Sequence, residues 1–156
     1  MKTETLLRRA NGYRLLAMFE DAELELCKIP EEERSRDAVL AMRVALFQDW
    51  GRWNKMLEAA ALLRNRNPED ADWWIAEAYA MRRCRSIEEA RQVLLKGEEN
   101  HPEEPCIQYN LGCYACVLGD RPEAVSRVRL AMSKDPSYEE MALLDDDLQE
   151  VRDDLL

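Results

Sequence analysis

Histidine is almost missing from this chain of 156 residues: His101 stands alone, so no catalytic pair of histidines can form. It lies just before Pro102. Nothing in the sequence supplies a His–Cys nucleophile with an orienting third group or an oxyanion site. No run of about 18 apolar residues occurs, which excludes a membrane-spanning helix. Arg8 and Arg9 interrupt what would be the apolar region of a signal peptide, so that export route is not expected. A glycine-rich phosphate loop is lacking, and so is a basic stripe interleaved with aromatics; nucleic acid is not an expected partner. Basic residues are outnumbered, 22 against 32 acidic, for a formal charge of −10. The five cysteines are an odd number, which argues for reduced thiols in a cytoplasmic setting rather than a disulfide framework.

What the chain does have is 47% hydrophobic residues, enough for a continuous core, and few breakers. The five Gly and six Pro fall almost entirely at expected helix ends, so long helices are the economical reading. The stretch from Pro105 to Tyr138 reads as two amphipathic helices joined at Gly119-Asp120 and stopped by Asp135-Pro136. Its plan recurs every 34 residues. Pro68, Pro102 and Pro136 keep that interval, as do Ala22, Met56, Ala90 and Ala124, and Ala10, Val44, Ala78 and Gly112. The last two columns are where helices should approach closely. Larger residues return as Tyr13, Phe47 and Met81, and as Leu6, Leu40 and Trp74. Gly51 and Gly119 match at the turns, with Ala17 and Arg85 in the other two units.

These columns resemble the tetratricopeptide repeat, a helix-turn-helix unit of 34 residues. The resemblance implies an all-α chain: a right-handed superhelix, or solenoid, of antiparallel helix pairs in one domain over residues 1–156. Residues 37–70, 71–104 and 105–138 are the repeats. Residues 3–36 form a degenerate N-terminal helix pair, with Ile29-Pro30 shortening its second helix, and 139–156 form an acidic capping segment. That segment carries eight acids against Arg152 alone, a net of −7, whereas the third repeat is at +1. The inner wall therefore need not be acidic.

Local signals give the helix ends. Asp37 is a candidate N-cap. Ser86 and Glu89 have capping-box spacing. Pro105 and Pro122 suit a first helical turn, with Asp120 as cap of the latter helix. Met141, Leu144, Leu148, Val151 and Leu155 are spaced to cover the last repeat, whose apolar face a solenoid otherwise leaves bare. Trp50, Trp53, Trp73 and Trp74 are read as filling between helix pairs; Trp73 is the candidate for a ligand-stacking surface.

By resemblance, the second, fifth, ninth, twelfth and thirteenth positions of each unit face a bound peptide. In this chain these include Asn11 and Arg14, then Ala41, Ala45, Gln48 and Asp49, then Ile75, Tyr79, Arg82 and Arg83, and finally Tyr109, Cys113 and Cys116. The carboxylate clamp of one subclass needs Lys and Asn at the fifth and ninth positions. Leu7 with Asn11, Ala41 with Ala45, and Ile75 with Tyr79 do not supply it.

The expectation is a non-enzymatic adaptor or scaffold that binds a partner peptide or helix in its concave groove, without cofactor or resident metal. A bacterial secretion chaperone of the same architecture, and a homo-oligomer, are alternatives. A third is a metal or redox site on Cys106, Cys113 and Cys116, which helical geometry puts on one side of a helix, with Cys84 or His101 as a fourth ligand. Apolar packing is the competing role for these thiols. Asp145, Asp146 and Asp147 could attract a divalent cation, against the reading that they cap the final helix.

Overall fold

Helix pairs begin at Thr3, where Leu6 and Ala10 recur at helical spacing and are buried. The computed structural model describes residues 1–155. Helices α1 (Thr3–Leu15), α2 (Phe19–Cys27), α3 (Asp37–Trp50), α4 (Trp53–Arg66) and α5 (Ala71–Cys84) make one unit, Met1–Cys84. Helices α6 (Ile87–Asn100), α7 (Pro105–Val117), α8 (Arg121–Lys134), α9 (Ser137–Leu144) and α10 (Arg152–Leu155) belong to a second, Arg85–Leu156. No strand occurs among the described residues. Short 3₁₀ turns lie at Glu31–Glu33 and Asp146–Val151.

In the first unit, α1 packs on α2, α3 on α4, and α4 on α5; in the second, α6 packs on α7 and α7 on α8. The small-residue columns occupy these contacts. Ala22, Met56, Ala90 and Ala124 are all fully buried, and so are Ala10 and Ala78. Gly112, in the latter column, shows why: a Cβ there would stand 2.6 Å from Val128 Cγ2 and 3.2 Å from the Ala124 carbonyl oxygen. Helices α7 and α8 come too close for any side chain at that point.

The turns also follow the 34-residue interval. Gly51 and Gly119 have φ of 73° and 91°, the left-handed conformation glycine takes at little cost. Ala17, at the matching place, takes φ 58° as well, and its Cβ makes this strained.

Caps were less legible. Asp120 accepts from the Glu123 amide at 3.2 Å. Ser86 Oγ accepts from the Glu89 amide at 3.1 Å, but Glu89 receives the Ser86 hydroxyl at 3.0 Å, so one half of the capping box forms. Asp37 is not an N-cap. It is the first residue of α3, after an Arg36 that supplies no side-chain cap, and its carboxylate accepts from Asn67 at 3.0 Å and Arg66 at 3.1 Å. These donors, Asn67 before Arg66, hold its pKa below the usual carboxylate range.

Polar bonds between successive helix pairs sit at one column with opposite sign. Arg64 donates both Nε and a terminal nitrogen to Glu77, at 2.6 and 3.0 Å. Thirty-four residues on, Glu98 accepts from Arg127 and from Gln108, each at 2.6 Å. Burial raises the pKa of Glu98, but Arg127 and Gln108 outweigh it and the net shift is downward.

The closing segment departs from a regular cap. Its helix stops at Leu144; Met141 is half exposed and Leu144 largely so, while Ala142 packs inward. Asp145 is extended (φ −80°, ψ 116°) and turns the chain, so that Leu148, Val151 and Leu155 are the residues that cover the repeat.

Candidate peptide-binding surface

On α3, Ala41, Val44, Ala45 and Gln48 recur at three- and four-residue steps and share one face; on α5, Asp72, Trp73, Ile75, Ala76 and Tyr79 do the same. The two faces together line a cavity of about 350 Å³. Short side chains at 41, 45 and 76 leave the space, and Trp73, Ile75 and Tyr79 give it an apolar wall with three polar groups, Gln48, Asp72 and the Tyr79 hydroxyl. Such a lining suits an apolar side chain fixed by a few hydrogen bonds.

Tyr79 is held in place. The Arg83 guanidinium lies 3.4 Å from its ring centroid, and Trp53 meets it edge-on at 5.8 Å. Arg83 also donates to the Tyr79 carbonyl oxygen at 2.9 Å. Arg82, its neighbour, is half-buried. Arg14 is engaged within the chain: it donates to Asn11 Oδ1 at 2.9 and 3.2 Å and to Asp49 Oδ2 at 2.5 Å. Asn11, Arg14 and Asp49 thus form a polar tie between α1 and α3.

Tyr109, Cys113 and Cys116 are not on an open wall. All three are buried on α7, beneath the turn at Asp146–Val151. The Tyr109 hydroxyl donates to Asp145 Oδ2 at 2.8 Å, and Cys113 Sγ lies 3.6 Å from the same oxygen. Burial pushes both groups upward in pKa, with the neighbouring Cys113 the next cause at Tyr109 and the Asp145 charge the next at Cys113. Both therefore stay protonated and act as donors to Asp145. The Tyr109 ring packs on Tyr138 at 4.8 Å between centroids. The helix break at Asp145 folds the chain's own end over this face of α7.

The three cysteines of α7 do not assemble a ligand set. Among the described residues, the group close enough to share an ion is Cys113, Asp145 and Asp147, with ligand atoms within 4.8 Å of one another. A neutral, buried thiol hydrogen-bonded to Asp145 accounts for that proximity. Asp145 also caps the 3₁₀ turn at Asp146–Val151, accepting from the Asp147 amide at 3.0 Å, in place of the final helix expected from the sequence. The pinning role of Asp145 had no sequence signal, because its partners lie 32 and 36 residues away.

No helix among the described residues is long and apolar enough to cross a membrane. No family profile matches the sequence, and no curated protein matches it. Solved structures do match. The MamA RS-1 ArsTM double mutant aligns with a TM-score of 0.75 and 16% identity, over 86% of this chain and 75% of that one. A structure of MamA aligns with a TM-score of 0.75 and 14% identity, over 94% and 87%. A thermophilic TPR protein of Thermus thermophilus, TTC0263, aligns with a TM-score of 0.71 and 18% identity, over 97% and 82%. With helix pairs at the 34-residue interval and small residues at their contacts, the chain has the all-helical fold of tetratricopeptide-repeat proteins.

Proposed function

We propose that the protein is a non-enzymatic adaptor and that the face shared by α3 and α5 takes a short amphipathic helical segment of a partner protein. The observation that carries this reading is the uncovered apolar cavity between Ala45 and Tyr79. The kind of occupant is argued from α7. There the same columns hold a short helical stretch of the chain's own end, with Leu148, Val151 and Leu155 buried and one acid bonded to a tyrosine hydroxyl. The equivalent columns on α3 and α5 hold Ala41, Ala45 and Gln48, and Ile75, Tyr79 and Arg82. An incoming segment gains apolar burial from one or two side chains, at about 25 cal/mol per Å², and orientation from Gln48 and Asp72.

Site-specific photocrosslinking tests this. A crosslinker at Ile75 should attach to one defined segment of a partner and a crosslinker at Leu118 on α7's exposed end should not. Ala45→Lys, which fills the cavity, and Tyr79→Ala should each remove the adduct without changing the helical spectrum. Adducts that persist in both variants would refute the groove reading. The α7 cysteines need no chemistry beyond packing in this scheme.

A further inference from the structure

Beside the α3–α4 turn is a second cavity, of about 490 Å³, lined by Gly51, Arg52, Trp53, Asn54 and Lys55 on one side and by Arg83 and Cys84 on the other. We infer that it binds a phosphate monoester carried on a side chain of a partner protein. No acid lines it, in a chain with 32 of them. Arg14, Arg36, Arg64 and Arg66 of the same unit each hold a carboxylate. Arg52 and Arg83 have none among the described residues and are held by aromatic rings instead. The Arg52 guanidinium carbon lies 4.6 Å from the Trp50 ring centroid; that of Arg83 lies 3.4 Å from Tyr79 and 5.2 Å from Trp53. Stacking fixes a guanidinium plane and leaves N–H groups at its edge for a ligand, in the fork that matches two phosphate oxygens. Lys55 adds an ammonium, shared with Glu23 at 2.6 Å.

A helix N-terminus lies at the same place. Helix α4 starts here, Arg52 gives no side-chain cap, and the first turn holds no acid. Helices α1, α2 and α3 of the same unit also lack a side-chain cap, but each carries an acid in its first turn, where α4 has none. A dianion with three acceptor oxygens uses two guanidiniums that hold no carboxylate, an ammonium and the helix start together; a carboxylate has one charge and two oxygens and leaves part of the set unmatched. The carrier is assigned from continuity. Tyr79 lines the α3/α5 cavity and carries Arg83 on its ring, so a segment lying in that groove passes next to this pocket. That assignment rests on the groove reading, whereas phosphate binding itself does not.

Trp50 and Trp53 provide the readout. The full chain is titrated, at constant ionic strength, with inorganic phosphate, with a short phosphoserine peptide and with its glutamate counterpart, and followed by tryptophan fluorescence. The phosphoserine peptide should give a saturable change, with the glutamate peptide about tenfold weaker or more, as expected for loss of one charge-assisted contact. Arg52→Gln and Arg83→Gln should each weaken binding by about tenfold and Arg8→Gln should not. All three sites are exposed, and unchanged thermal melts would show that the fold is intact. Equal titrations in the Arg52→Gln/Arg83→Gln double variant would overturn the site. A response to inorganic phosphate but not to the phosphopeptide would overturn the partner-borne ester. Ala45→Lys separates the two proposals: phosphopeptide binding retained there supports this pocket whatever becomes of the groove, and loss of every titration in that variant counts against it.

Discussion

Helices α3 and α7 carry the same columns, yet Ala45 opens onto a cavity while Cys113, in the matching place, is 1% exposed. The difference is not in the helices. It comes from what lies on them: α7 is covered by the turn at Asp146–Val151, pinned through Asp145, whereas α3 and α5 leave their shared face uncovered. Charge follows the same division. Residues 1–84 hold 14 basic against 15 acidic side chains, and 85–156 hold 8 against 17. The nearly neutral unit carries the two cavities proposed as binding surfaces, and the acidic unit spends part of its charge holding its own end in place.

The sharpest way to break this comparison is one substitution made twice. Cys113→Lys forces a long side chain into a filled site beside Asp145 and should cost about 1–3 kcal/mol, or prevent folding of that unit. Ala45→Lys should stay within about 0.5 kcal/mol, and denaturant unfolding of both measures the contrast. Similar costs would mean that the inner face of α3 is covered as well. Gly112→Ala tests the closeness of α7 and α8 and should destabilise by about 1–3 kcal/mol, because Val128 cannot retreat from a contact made partly by backbone.

Next in size is the column with opposite charges. Glu77→Gln leaves Arg64 with a weaker acceptor and should cost about 1–3 kcal/mol at neutral pH. The counterpart in the second unit has a pH signature. Because Glu98 is depressed in the folded chain, its contribution is present above its unfolded pKa, near 4.3, and is lost as pH falls through the lower folded value. Arg127→Met should flatten that acid limb in a pH series of unfolding midpoints, and an unchanged limb would remove Glu98 from the account. The smallest effect runs the other way. Ala17→Gly relieves a left-handed alanine and should stabilise by about 1 kcal/mol.

Much of this was legible beforehand. Helix pairs, their turns at Gly51 and Gly119, and the buried columns at Ala22, Met56, Ala90 and Ala124 follow from spacing alone. Of the inner positions, Ala41, Ala45, Gln48, Ile75 and Tyr79 do line one cavity, and Trp73, the tryptophan singled out for a ligand surface, is with them. The role of Asp37 was misread because Asn67 and Arg66, far along the chain, compete for a carboxylate that local rules assign to the nearest amides. Met141 and Leu144 were misread because their periodicity presumes that the helix continues, and the chain turns at Asp145.

By itself the sequence determined which residues form helices and which faces of them meet, since side-chain size at a 34-residue interval controls how close two backbones can come. Only the tertiary structure decided which inner faces stay uncovered. A single extended residue at Asp145 redirects residues 146–155 onto α7 and α8, and the bonds that hold Asp145 itself span more than thirty positions, beyond the reach of any local pattern.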